Sequence, residues 1–133
     1  MNKHVITMWI IWFAMLQSAF VFSYFLGKGL PRGENADAPM AAWIWVVCFL
    51  PLVVATILRW IVLPKIKEAQ DQLTIMIIGL SMGECAVFFQ IFLIGPEYPQ
   101  NQIAVLIVAV LVLILMAPSY ATPGVRPAKD SLQ

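Results

Sequence analysis

The sequence predicts an all-α protein, a bundle of four transmembrane helices that run up and down with both termini in the cytoplasm. Of its 133 residues, 62% are hydrophobic and only 11% are charged. Ordinary soluble domains are about 45–50% apolar and about 25% charged, so this chain has too much apolar surface for a core surrounded by water. Four apolar stretches also approach the roughly 20 residues that cross a bilayer as a helix. Short polar connections with Gly or Pro separate them, which favours antiparallel neighbours in a bundle.

The four expected spans cover residues 5–26, 40–63, 73–94 and 103–120 of one membrane domain, residues 1–133. The first apolar run is longer than the roughly 7–15 residues of a cleaved signal peptide, so we expect it to be retained as a span. Residues 103–117 carry no polar side chain, which predicts a peripheral, lipid-facing fourth helix. Residues 121–133 form a polar tail that is too short to fold alone.

The basic residues predict the orientation of the bundle. One side of the expected membrane carries most of them, at Lys3, Arg59, Lys65, Lys67, Arg126 and Lys129. The other side carries only Lys28 and Arg32. Since Lys and Arg are enriched in short cytoplasmic loops, both termini and the central loop are expected to face the cytoplasm. We expect the inner, cytoplasmic membrane of a bacterial cell.

Composition excludes several classes of function. The net charge of +1 gives no basic face for nucleic acid. The apolar composition makes the lipid bilayer the expected partner. The single histidine, His4, argues against paired haem ligands and against a His-rich metal site. No nucleophile–base set, phosphate loop or cofactor motif is present. We therefore expect no enzyme, no metal and no cofactor.

Small residues line one face of the third expected span. Gly79, Gly83 and Ala86, together with Gln90, fall within an arc of roughly 60° when consecutive residues are placed 100° apart. Gly79 and Gly83 form a GxxxG pair, which allows another helix to approach closely. Two interpretations remain open at this point: packing against another span of the same chain, or a face that joins two copies.

Glu84 is the most informative residue, because it lies near the middle of the same apolar span. A carboxyl group at that depth is costly, and by default it indicates a functional site. Low dielectric disfavours the charged form, so we expect Glu84 to be protonated much of the time unless water or a cation reaches it. Two interpretations compete: a neutral, hydrogen-bonded contact between helices, and a proton or cation site.

The expected partner of Glu84 is Gln17, which lies at a matching depth in the first span, with Ser18 or Ser81 nearby. A hydrogen bond from an amide would satisfy a protonated carboxyl without burying charge. Arg59 is the only basic residue within a span, but it lies about 10 Å nearer the cytoplasmic end than Glu84. We expect its head group to turn towards the interface instead.

Residues 59–95 resemble the hairpin of subunit c, the proteolipid of rotary ATP synthases. There, a polar cytoplasmic loop leads into a helix with a mid-membrane carboxylate among small residues. The local match is IIGLSMGECAVFFQIFLIG, in which Glu84 stands at the position of the ion-carrying carboxylate. The family's first hairpin helix is rich in glycine, whereas residues 40–63 contain none. The resemblance implies ion binding at Glu84.

Two functions are consistent with this sequence. The first is a small multi-pass membrane protein that acts through helix–helix contacts as an accessory or scaffold component. Such a protein would be a homo-oligomer or a subunit of a membrane complex. The second is a proton-coupled or ion-binding transport component that uses Glu84, with Gln17 and Ser81. A water-filled cavity at Glu84 would favour transport, and a dry contact would favour the scaffold.

Overall fold

The computed structural model describes residues 3–29 and 39–121, and in these ranges the chain is helical without strands. Its four main helices are α1 (Lys3–Leu26), α2 (Ala42–Ile57), α3 (Ala69–Phe89) and α4 (Pro99–Leu115). With the shorter turns that continue them, four helical segments are long and apolar enough to cross a membrane. The prediction of an all-α, four-span bundle is confirmed.

Two of the four spans are completed by π turns. The turn Leu58–Val62 follows α2 and leads into the short 3-10 turn Leu63–Lys65. The turn Gln90–Ile94 follows α3, and Gly95, with a φ of 55°, ends it. A π turn widens the helix and leaves some backbone N–H and C=O groups without their usual helical partners. In a bilayer, other groups of the protein must satisfy these N–H and C=O groups. Each of these two turns holds a buried polar side chain, Arg59 or Gln90.

The helices extend beyond the apolar runs of the sequence at several ends. The third span covers Ala69–Ile94 and the fourth covers Pro99–Ala121, so both begin about one turn before the apolar residues do. Asp71 in the first turn of α3 interacts favourably with the positive end of the helix dipole. Pro99 opens α4, where its missing N–H has no intrahelical acceptor to lose. Residues 122–133 of the polar tail lie outside the described residues.

The third span lies at the centre of the bundle. Half of its most apolar stretch is buried, against 28% for Ala42–Lys65, 33% for Pro99–Ala121 and 17% for Lys3–Leu26. The fourth span is only 33% buried, but it is not the most peripheral one, because the first span is less buried still. Apolar side chains are as compatible with a neighbouring helix as with lipid, so the absence of polar residues does not decide burial.

Close packing against α4 occupies the small-residue face of α3. Gly79 and Gly83 are buried, and a Cβ atom added to Gly83 would lie 2.6 Å from Cδ2 of Leu113. A Cβ atom on Gly79 would collide with the tip of Met116. Because lipid tails remove the hydrophobic drive between helices, such tight van der Waals packing is a main source of their attraction. Of the two interpretations of the GxxxG pair, the structure supports packing within the chain.

The end of α4 is held by donors from two other helices. The last four carbonyls of a helix have no intrahelical donor, and hydrocarbon offers none. The N–H of Met116 reaches the Val112 carbonyl and the N–H of Ala117 reaches Ile114, each at 3.0 Å. The indole of Trp12 in α1 donates to the Leu113 carbonyl at 2.8 Å. Nε of Arg59 donates to the Leu115 carbonyl at 2.9 Å.

Candidate functional site

Glu84 lies on the side of α3 that faces α1. Its side chain is only 7% exposed, although it is the sole carboxylate in the interior of a described span. One turn further along each helix, the rings of Phe22 and Phe88 meet with their centroids 5.1 Å apart. This aromatic pair provides another contact between α1 and α3. Glu84 is thus buried between α1 and α3.

Ser18 of α1 makes the contact with Glu84. Its Oγ lies 2.5 Å from Oε1 of Glu84 and 2.7 Å from the carbonyl oxygen of Met15. A hydroxyl carries one hydrogen and cannot donate to both acceptors at once. Both contacts are hydrogen bonds together only if Glu84 is protonated, so that Glu84 donates to Ser18 and Ser18 donates to Met15. This arrangement is neutral, and it buries no charge.

The second carboxyl oxygen, Oε2 of Glu84, is buried and has no hydrogen-bond partner among the described residues. A buried acceptor without a donor is costly, and the cost is much larger for an ionised carboxylate than for a neutral acid. The burial of Oε2 and the single hydroxyl hydrogen of Ser18 therefore both favour the neutral form of Glu84. Oε2 is also the one atom of Glu84 that remains available to a further donor, such as water.

A second polar contact joins α1 and α3 nearer their C-terminal ends. Nε2 of Gln90 donates to Oγ of Ser23 at 3.2 Å, and both side chains are buried. Oε1 of Gln90 is buried without a partner among the described residues. We refer to Ser18, Ser23, Glu84 and Gln90 as the α1–α3 polar seam. Its two contacts hold α1, the most exposed helix, against the centre of the bundle.

Neither Gln17 nor the hydroxyl of Ser81 forms a hydrogen bond with Glu84. The expected Gln17–Glu84 hydrogen bond is replaced by the contact between Glu84 and Ser18, and Gln17 is exposed on the outside of α1. Successive residues of a helix are 100° apart, so depth along the axis matched Gln17 to Glu84 while direction did not. Ser81 donates to the carbonyl of Ile77 within its own helix. An ion-binding role for Glu84, Gln17 and Ser81 stays a prediction.

The guanidinium of Arg59 binds the C-terminal end of α4. Besides the Leu115 carbonyl, its guanidinium reaches Oγ of Ser119 at 3.1 Å. It also lies over the rings of Trp60 and Tyr120, at 4.8 and 4.6 Å from their centroids. The residue is 9% exposed, and its guanidinium is directed to the C-terminal end of the fourth span. That its head group turns towards the interface stays a prediction. A cation at a helix C-terminus interacts favourably with the dipole.

The contact between Gln90 and Ser23 and the hydrogen bond from Trp12 were not predicted from the sequence. Gln90 was visible as a polar residue near the end of an apolar run, and Ser23 could have been paired with it by depth. The Trp12 contact has no signal in the sequence, because its acceptor is a backbone carbonyl. The polar seam consists of hydroxyl, carboxyl and amide groups, which can donate and accept hydrogen bonds.

In comparisons with known proteins, this chain matches no protein-family model, no curated protein and no solved structure.

Proposed function

We propose that this chain is a non-enzymatic accessory or scaffold component of a membrane, which acts through helix–helix contacts. A small protein with four membrane-length helices is established by the fold; its specific role is the proposal. The same proposal locates it in the inner membrane of a bacterial cell, with its Lys- and Arg-rich ends in the cytoplasm.

The observation that carries the proposal is the use made of polar side chains inside the spans. Hydrogen bonds or close polar contacts from the side chains of Trp12, Ser18, Arg59 and Gln90 each join two different spans. These contacts tie α1 to α3 and to α4, and α2 to α4. Polar groups in a transport path would instead face a cavity that water reaches. Glu84 instead lies between α1 and α3 in contact with Ser18, and only 7% of the residue is exposed.

A second candidate function is a proton-coupled or ion-binding transport component centred on Glu84. The observation in its favour is Oε2 of Glu84, a buried acceptor that lacks a partner among the described residues. Membrane carboxyls that exchange protons are typical of proton relays. The resemblance to the subunit c hairpin is consistent with this candidate.

Proton flux separates the two candidates. The purified protein is reconstituted into liposomes that contain a pH-sensitive dye, and a potassium diffusion potential is applied. The scaffold function predicts that wild type and Glu84→Gln give the same flux as empty liposomes. Gln keeps a hydrogen bond to Ser18, so the bundle should remain folded in both proteins. A flux that is present in wild type and lost in Glu84→Gln would overturn the proposal and support transport.

Photo-crosslinking in the native membrane tests whether the outer helix faces meet other proteins. A photoreactive amino acid replaces Phe13 of α1, Val53 of α2 or Leu111 of α4, which are between 52% and 57% exposed. A scaffold predicts a discrete protein adduct from at least one of these faces. If all three positions yield lipid adducts alone, the protein does not act through contacts with other chains.

A further inference from the structure

Gln17 is a polar side chain on the lipid-facing side of a membrane helix. It lies near the middle of α1, next to Ser18, which contacts the centre of α3. Gln17 is exposed and has no hydrogen-bond partner among the described residues. Transferring an amide from water to hydrocarbon without a hydrogen bond costs roughly 2–7 kcal/mol. From this depth, the short Gln side chain does not reach the headgroups, unlike Lys or Arg.

The neighbours of Gln17 form a regular stripe along the same side of the helix. Counting from Ile10, successive steps of three and four residues lead to Phe13, Gln17, Phe20 and Tyr24. All five side chains are exposed, with Ile10 at 63% and Phe13 at 57%. We call these five residues the α1 stripe. Alternating steps of three and four are the spacing by which two helices pack with interlocking side chains.

We propose that the α1 stripe is a self-association surface, at which Gln17 of one chain pairs with Gln17 of a second copy. This inference rests on the proposed function, because it names a partner for the helix contacts described there. Apolar residues of the stripe are compatible with lipid and do not require a partner. The amide does require one, and Gln side chains that hydrogen-bond across helices are a common means of association in membranes.

A second copy fits the stripe because an amide is its own complement. Each Gln side chain has a carbonyl that accepts and an NH₂ group that donates, so two of them satisfy each other. Copies of one chain insert in the same orientation, and a twofold axis along the membrane normal then brings identical residues together at equal depth. The two α1 helices are parallel in this arrangement. A lone polar residue within such a stripe sets the register and the number of helices.

The surface beside the stripe offers room for side chains of the second copy. An open apolar groove of about 450 Å³ runs along α1, and three of its lining residues, Ile6, Ile10 and Phe13, lie on the same side as the stripe. A large side chain from an opposing helix would fill it. The face with Gly79 and Gly83 is already covered by α4, so the usual small-residue interface is not free for a second copy.

The test measures association in liposomes by energy transfer between two labelled pools of the full chain, over a series of protein-to-lipid ratios. Gln17→Leu should weaken association roughly tenfold, on the scale of interhelical hydrogen bonds in model peptides. Gln17→Asn keeps the amide and should retain most of it. Thr56→Val is the matched control, because this exposed hydroxyl already donates within its own helix to the Leu52 carbonyl. Equal association of wild type and Gln17→Leu would overturn the inference.

Crosslinking from Phe13 in the native membrane distinguishes the possible occupants. A second copy predicts an adduct with twice the mass of the chain, and this adduct should weaken in Gln17→Leu. An adduct with a different protein would overturn self-association while leaving the proposed scaffold function in place. Lipid adducts at Phe13 together with protein adducts at Val53 or Leu111 would likewise overturn self-association and leave the scaffold function in place. Lipid adducts at all three positions would contradict the inference and the proposed function alike.

Discussion

At the scale of single residues, the membrane changes what a polar side chain does. In water, the terminal carbonyls of a helix are solvated, whereas in hydrocarbon each needs a donor from the protein. Trp12 and Arg59 meet this requirement for Leu113 and Leu115 of α4. Both side chains are large enough to reach across a helix interface, and neither is a candidate for chemistry. Their conspicuous presence in apolar spans is explained by backbone hydrogen bonding.

The contact between Trp12 and Leu113 gives a first prediction. Trp12→Phe keeps an aromatic ring but leaves the Leu113 carbonyl without its donor. We expect a loss of about 1–2 kcal/mol in the free energy of unfolding, within the range for a buried group left unsatisfied. The measurement is unfolding in lipid micelles or bicelles by denaturant titration.

Trp9→Phe is the matched control for this substitution. The ring of Trp9 packs edge to face with Trp12, with centroids 5.4 Å apart, but the side chain is 38% exposed. No acceptor for its indole is found in the described residues, so the effect should stay within about 0.5 kcal/mol. Equal losses for the two variants would mean that the Trp12 hydrogen bond does not stabilise the bundle.

At the scale of helices, the α3–α4 interface depends on which atoms meet each glycine. Cδ2 of Leu113 would lie 2.6 Å and Cγ 3.1 Å from a Cβ atom at position 83, and Leu113 is fully buried. At position 79 the colliding atom is the end of the flexible Met116 side chain, while its sulfur is at 3.4 Å. A branched side chain in a packed core has less freedom to move than an unbranched thioether. The two glycines therefore differ in their tolerance of a methyl group.

Alanine substitutions at the two glycines test this difference. An Ala in a helix is favoured over Gly by about 1 kcal/mol, and overpacking a core costs about 1–3 kcal/mol. We expect Gly83→Ala to lower the free energy of unfolding, because Leu113 has no room to move. Gly79→Ala should leave it nearly unchanged or raise it. Thermal unfolding of the two variants side by side measures the difference, and the reverse order would contradict this packing.

The helices themselves were predictable from the sequence, whereas their neighbours were not. Long apolar runs require helices in a bilayer, because every backbone group must be satisfied within the segment. The run of residues 73–94 also revealed Glu84 as a buried carboxyl. The choice between Gln17 and Ser18 as its partner depended on the rotation of α1 about its axis, which apolar runs do not encode. The uniform apolarity of α4 likewise concealed that its partner is the glycine face of α3.

At the scale of the whole molecule, the distribution of basic residues predicts how the bundle sits in the membrane. Lys67 and Glu97 are exposed in the connections that follow the second and third spans. In an up-and-down bundle these connections lie on opposite sides of the membrane. The excess of Lys and Arg predicts that the connection with Lys67 is cytoplasmic.

Cysteine labelling in intact cells tests the orientation. The two free cysteines, Cys48 and Cys85, are first replaced by Ala. Glu97→Cys should then react with a membrane-impermeant maleimide in intact cells. Lys67→Cys should react only after the membrane is permeabilised. The opposite pattern would reverse the orientation, and labelling of both sites in intact cells would indicate that the chain inserts both ways.

Coupling between Ser18 and Glu84 tests most directly whether intramembrane polar groups hold this bundle together. The measurement is the free energy of unfolding in bicelles for wild type, Ser18→Ala, Glu84→Met and the double variant. Because the pair lies 2.5 Å apart between α1 and α3, we predict a coupling free energy of about 0.6–1.7 kcal/mol, the scale found for hydrogen bonds between membrane helices. Additive effects, with coupling below about 0.3 kcal/mol, would contradict a stabilising contact between α1 and α3 at Glu84.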